Sequence, residues 1–368
     1  MFRNISKILT TRLAQRLPRS RLTKPRAFHP SLTRHFSSAP HEATTLRGTQ
    51  RLPYDFQPGE SIHNFTLLAT KAYPDFNLTM YTLQHNTLKT KVYHFDTDDT
   101  NNSFVYTFKT LPDNDKGKPH ILEHLITCGS DKFPVRDPFM AMTKRSLNSY
   151  MNAWTGTDFT SYPFSTTNQA DFDNLLNVYT DMVFRPSLDY YDFLQEGWRH
   201  DFATTGDPST ELNYKGVVFN EMKGVYESGQ TIFMEQMENN LLQGTPYGYS
   251  SGGRPEAITD LPYNELKAYY GKYYHPSNCV FYSYGDLDFT KTLKYIDENY
   301  LTNVKFLDVE TDFGKTQLTK GVTKEFSVPP NPQIIDANKQ TSYGVGFLLA
   351  DTEKNLEDTV GLNLLNFL

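Results

Sequence analysis

Residues 118–129, Lys-Pro-His-Ile-Leu-Glu-His-Leu-Ile-Thr-Cys-Gly, constrain this chain more than any other stretch. Pro119 suits the first turn of a helix and Gly129 the residue just past its end, so the segment predicts one short helix. At about 100° per residue, His120, Glu123 and His124 share an arc of roughly 100°, and Ile121, Leu122, Leu125 and Ile126 fill the opposite side. Such a helix lies on a core with one face and offers chemistry with the other.

Two imidazoles one turn apart can hold one zinc ion (Zn2+) through neutral nitrogens, leaving Glu123 free as a base toward water. The pattern H-x-x-E-H is that of the inverted zincins. A chance match, or two surface histidines, would leave the apolar back face and the tight polar arc as coincidences. A catalytic zinc takes a third protein ligand, and Glu221, within Gly216-Val-Val-Phe-Asn-Glu-Met-Lys-Gly224, is the best candidate. On a helix it shares a face with Val217, Val218 and Val225, and a carboxylate in an apolar stripe is costly unless it is paired or binds a metal. A buried salt bridge, or a helix rotated to turn Glu221 outward, are the structural alternatives.

From about residue 60 onward several blocks occur in order: His120 to His124, Asp137-Pro-Phe, Asn152-Ala-Trp-Thr-Gly-Thr-Asp-Phe-Thr, Gln195-Glu-Gly-Trp-Arg199 and Gly216 to Gly224. Together they resemble the pitrilysin-like zinc metallopeptidases, and within them the branch that degrades organellar presequences. The resemblance implies His120, His124 and Glu221 as ligands of one zinc ion and Glu123 as general base. It also implies that Asn152, Ala153 and Trp154 belong to an edge strand that pairs with substrate backbone, a mode of binding that tolerates many sequences. An internal strand is the plainer reading of the same residues. Many relatives carry a further glutamate one helical repeat before the third ligand, where this chain has Tyr214.

Residues 1–41 contain seven arginines and two lysines and no acidic residue before Glu42, the signature of a mitochondrial transit peptide. Arg34-His-Phe36-Ser37 looks like a matrix-processing site cut after Phe36, which makes 1–36 the expected leader; a retained basic arm for nucleic acid or anionic membrane is the competing reading. Without those nine basic side chains, 36 − 9 = 27 face 42 acidic ones, a formal charge of −15. An acidic body suits basic peptides such as presequences, though it also serves simple solubility. No apolar run approaches the eighteen or so residues of a membrane span, and no nucleic-acid role is expected. Cys128 and Cys279 are the only cysteines, so no disulfide framework is in view; Cys128, one turn past His124, reads as a buried structural thiol. Asn64, Asn77 and Asn101 open N-x-S/T sequences, but nothing suggests a secretory route.

Leu78–His85, Thr90–Phe95 and Ser103–Thr110 read as strands ahead of the zinc helix, and a further strand is expected around Asp158–Phe164. Helices follow over Asn168–Phe184, Tyr191–Arg199, Thr231–Gln243, Tyr263–Tyr274 and Thr290–Tyr300, with a strand at Asn278–Tyr284. Within these, Trp198 is expected in the core; Glu196 could serve as an acid behind the metal ligands, but a surface or capping role is the expectation. The loop Gly244–Gly253 has no phosphate-binding pattern. The order suggests a layered α+β domain with a largely antiparallel sheet.

The expected organisation is a leader (1–36), a zinc-binding catalytic domain (37–305), a proline-bearing connection (306–332) and the start of a second, similar domain (333–368) with a strand at Gln340–Ala350 and a helix at Glu353–Leu368. The chain stops on an apolar run, Leu362 to Leu368, which suggests truncation. By resemblance, the C-terminal half of an enclosed peptide chamber is then missing. The function implied is a zinc metalloendopeptidase that degrades cleaved presequences and other short unfolded peptides in the mitochondrion, most naturally the matrix. A processing peptidase that cuts precursors once, or an inert zinc-binding fragment or scaffold, are the alternatives.

Overall fold

The computed structural model describes Tyr54 and residues 56–314, 316, 321–332, 334–348 and 356–367. The expected leader lies outside the described residues. Strands β1 (Ser61–Ile62), β2 (Phe65–Tyr73), β3 (Leu78–His85), β4 (Lys91–Thr97) and β5 (Asn102–Lys109) come first. Then follow helices α1 (Lys118–Thr127) and α2 (Pro138–Arg145), strands β6 (Asn148–Met151), β7 (Trp154–Thr155) and β8 (Phe159–Thr166), and helices α3 (Gln169–Phe184) and α4 (Tyr190–Glu196). A two-stranded hairpin, β9 (Arg199–Phe202) and β10 (Leu212–Lys215), leads into α5 (Val217–Val225), α6 (Gly229–Leu241), α7 (Pro255–Ile258) and α8 (Tyr263–Tyr273). Strand β11 (Cys279–Gly285) and helix α9 (Phe289–Ile296) complete the packed body, and α10 (Leu356–Phe367) is the last described element.

The fold is α+β. The main sheet runs β1-β2-β3-β4-β11-β5-β8-β6, with β7 also paired to β8. Every pairing in it is antiparallel except β11 with β4. Inserting β11 between β4 and β5 fills the centre of the sheet with a strand from far along the chain, which closes the domain. Its pleat alternates strictly, so Cys279, Phe281 and Ser283 are buried while Val280 and Tyr282 are half-exposed.

One layer of helix covers this sheet. Phe104, Tyr106, Phe108, Tyr162, Phe164 and Phe281 from β5, β8 and β11 pack with Phe172, Leu175 and Tyr179 of α3. Helix α1 adds Ile121, Leu122, Leu125 and Ile126, all fully buried, so its apolar back is seated as its spacing predicts. Helix α3 is capped by Asn168, whose side chain accepts from the amide of Asp171.

Two expectations need correction. The helix expected over Tyr191–Arg199 ends at Glu196, and Arg199 opens β9. Gly197 makes that turn in a place where a Cβ would meet the Phe193 carbonyl oxygen at 2.9 Å. The strand expected over Gln340–Ala350 is absent from its described part, 340–348: a strand needs a partner for its hydrogen bonds, and Gly344 and Gly346 rest instead on Met237 and Leu241 of α6. No described helix is long and apolar enough to cross a membrane.

Candidate metal centre

Helix α1 supplies His120, Glu123 and His124; α5, almost a hundred residues later, supplies Glu221. Single donor atoms from His120, His124 and Glu221 lie within 4.8 Å of one another. The Nε2 atoms of His120 and His124 are 3.8 and 3.9 Å from the same oxygen, Oε2 of Glu221. With bonds of about 2.0–2.2 Å, tetrahedral ligands stand roughly 3.3–3.5 Å apart, so each histidine nitrogen would have to close on Glu221 by only about 0.5 Å. Two imidazole nitrogens and one carboxylate oxygen form a donor set suited to zinc with one position left open. The residues present fit the ion.

Two glycines let the start of α5 close on the end of α4. A Cβ on Gly216 would fall 2.0 Å from the carbonyl oxygen of Gly197, so the turn after α4 and the turn before α5 touch backbone to backbone. This approach sets Glu196, at the end of α4, and Glu221 on opposite sides of His124.

Glu221 was expected inside an apolar stripe, but its side chain is 51% exposed and opens into the cleft. Val217 and Val225 are themselves exposed at 43% and 39%, and only Val218 is buried. The helix is rotated to turn Glu221 outward, one of the alternatives posed for it, and this open side is the one that faces His120 and His124.

Glu196 is the main correction. Its Oε2 is hydrogen-bonded to Nδ1 of His124 at 3.0 Å, which fixes the ring and leaves Nε2 facing Glu221. Burial works to raise its proton affinity, but the bond and charge of His124 prevail and hold the carboxyl below its usual range. Burial lowers the proton affinity of His124, but Glu196, Glu123 and Glu221 outweigh it and the net shift is upward. His120, with no such carboxylate at Nδ1, is pushed down by burial and by its neighbour His124.

Glu123 is only 8% exposed, and burial pushes its carboxyl above the ordinary range. Thr155 Oγ1 donates to its Oε2 at 2.6 Å. Thr155 was missed at the sequence level, although it stands inside one of the blocks that carry the resemblance. Cys128 sits beside the centre as a half-buried thiol donating to the His124 carbonyl oxygen at 3.4 Å; burial pushes its pKa far up, in keeping with a structural role. Trp198 packs on the core and donates Nε1–H to the Leu261 carbonyl, as expected of a core residue.

His120, Glu123, His124 and Glu221 line a cleft of about 480 Å³ whose other wall is Asn152, Ala153, Trp154 and Thr155, with Met222 and Gly252. The outer margin of the sheet is formed there by β6 and β7, both paired on one side to β8. Asn152 and Ala153 lie between them, at the sheet edge and beside the candidate metal ligands.

A profile of the family described as insulinase (peptidase family M16) matches residues 110–197, and one described as peptidase M16 inactive domain matches 260–368. The chain is 44% identical over 279 residues to the mitochondrial presequence protease of Drosophila melanogaster, covering 76% of this chain and 26% of that one. It is 41% identical over 304 residues to that of Xenopus tropicalis (82% and 30%) and 39% over 309 residues to that of Schizosaccharomyces pombe (84% and 31%). It therefore spans under a third of the length of these curated relatives. Among solved structures, a protease from Helicobacter pylori matches with a TM-score of 0.50 at 18% identity over 64% of this chain and 53% of that one. The ferredoxin protease FusC, in complex with Arabidopsis ferredoxin, gives 0.50 at 18% over 66% and 26%.

Proposed function

Because this chain belongs to peptidase family M16, we propose that its cleft is the zinc site of a metalloendopeptidase acting on cleaved mitochondrial presequences and other short unfolded peptides. The observation that carries this reading is the convergence of His120, His124 and Glu221 around one point, with the buried carboxylate of Glu123 in the same cleft. The names of the similar proteins support the substrate class and a mitochondrial setting, and the arginine-rich N-terminal sequence favours the matrix.

When bound, zinc would supply Lewis acidity, acidifying water and polarising a peptide carbonyl. The other roles belong to the chain. Glu123, its proton affinity raised by burial, takes a proton from water and returns it to the leaving amine. Thr155 occupies one carboxylate oxygen and steadies the other for that transfer. Glu196 keeps His124 in the tautomer whose Nε2 is free to bind the ion. Asn152, Ala153 and Trp154 align an extended peptide along the sheet edge.

In this reading residues 37–305 form the zinc-bearing domain, 306–332 a connection and 333–368 the beginning of a related one; the remaining length of the relatives would complete an enclosing chamber. Glu123→Gln provides the test. Zinc content should be retained while chelator-sensitive cleavage of a presequence-like peptide, by the chain alone or completed by the remaining part of a relative, falls by about 10²–10⁴-fold. Unchanged turnover would remove Glu123 from the mechanism. A single defined cut in a precursor, with the freed presequence left intact, would point instead to a processing peptidase.

A further inference from the structure

The two histidines of the candidate centre are braced unequally. His124 Nδ1 has Glu196, whereas Nδ1 of His120 is buried and makes no hydrogen bond of normal geometry. A ligating imidazole ordinarily gives its second N–H to a carboxylate, carbonyl or water. The group that faces His120 is the backbone of Gly252: a Cβ built there would lie 3.8 Å from Nδ1.

The loop that carries Gly252 is held to the start of α1 at several points. The Ser250 amide donates to Asp115 Oδ1 at 2.8 Å, and the Arg254 amide donates to the Asp115 carbonyl oxygen at 2.8 Å. The Arg254 side chain lies 3.8 Å from Asp115 Oδ2 and 3.1 Å from Oε2 of Glu235 on α6. Close approach is possible because a glycine stands on the helix side too: Gly117 has φ +69°, and a Cβ there would meet the Gly252 oxygen at 2.6 Å. On its other side Gly252 touches Met222, next to Glu221, with a Cβ again too close at 2.8–3.0 Å. One residue thus bears on both helices that supply the metal ligands.

We propose that the 250–254 loop is a positioning arm of the metal centre: the Gly252 carbonyl accepts the Nδ1 proton of His120, and Asp115 with Arg254 holds it there. The inference rests on the zinc reading above. It makes a loop with no chemistry of its own responsible for the aim of His120, as Glu196 is for His124.

The test uses zinc affinity of the whole chain, measured by competition with a chromophoric chelator, so that it stands whether or not the chain cleaves peptides. Asp115→Ala and Arg254→Met should each weaken zinc about 10-fold, with the apo protein still melting cooperatively. Asp115→Asn, which keeps one acceptor oxygen for Ser250, should recover most of the loss. In the zinc-loaded wild type, the nitrogen spectrum of His120 should show a slowly exchanging Nδ1 proton, which a merely structural loop has no reason to protect. This spectrum needs no variant to fold. Unchanged zinc affinity in folded Asp115→Ala and Arg254→Met, or a rapidly exchanging Nδ1 proton in the wild type, overturns the proposal. If His120→Ala leaves zinc affinity untouched, the zinc reading itself fails and takes this inference with it.

Discussion

His124 and Glu221 show how differently two candidate ligands can be written into a sequence. The histidine pair was legible because helical spacing is a local rule, and α1 obeys it on both faces. Glu221 does stand beside the two histidines, but not in the setting its neighbours suggested: the valines around it do not form a buried stripe, and its open position reflects the cleft. Glu196 and Thr155 carried no local signal beyond their place in the resembling blocks, because their partners lie 72 and 32 residues away. At this scale Glu196→Gln should weaken zinc by about 10–100-fold with little change in the melting temperature of the apo chain. Chelator competition and calorimetry measure the two separately, and equal zinc affinity would mean that the Glu196 bond to His124 is incidental.

The elements that were read well are those whose period is their own. Strand β3 matches its expected bounds, Leu78–His85, and α3 begins after its capping Asn168. Strand β2 and the β9–β10 hairpin passed unread: β2 is largely exposed along its length, and the hairpin strands are four residues each, too short to show alternation. The junction of α4 with α5 depends on the missing Cβ of Gly216, a property of two distant glycines together. Gly216→Ala should cost about 1–3 kcal/mol of stability and reduce zinc affinity as α5 swings Glu221 away. Loss of stability with intact zinc binding would mean that the clash relaxes elsewhere.

The start of α1 is tied to α8 by Lys118, which is buried and contacts Asp113 Oδ1 at 2.5 Å and Glu265 Oε1 at 2.9 Å, with Lys116 at 2.8 Å from the other oxygen of Glu265. Burial alone would raise the Glu265 carboxyl, but its bonds to Lys116 and Lys118 win and bring it down to about 2. A depressed carboxyl stabilises the fold above its unfolded value, near 4.5, and loses that contribution as pH falls toward 2. Melting temperature should therefore drop more steeply between about pH 5 and about pH 2 in the wild type than in Glu265→Gln. Parallel curves in differential scanning calorimetry would dismiss this pin.

For the whole molecule, an ion held by α1 and α5 would join parts of the chain separated by 221 − 124 = 97 residues. Removing it should lower the melting temperature, by an amount set by free zinc relative to its dissociation constant: about 2.7 kcal/mol at a hundredfold excess. No shift on chelation would mean that the three donors do not hold the ion jointly. The open margin at β6 and β7 has a further consequence. A chain laid along a sheet edge turns alternate side chains to opposite faces, so any peptide read there is read with a stride of two. Sliding it by one residue exchanges every side chain that meets the cleft with every one that avoids it. Such an enzyme would measure parity before it measured identity: inserting a single residue into a peptide could move its cuts more than changing several side chains at every second position.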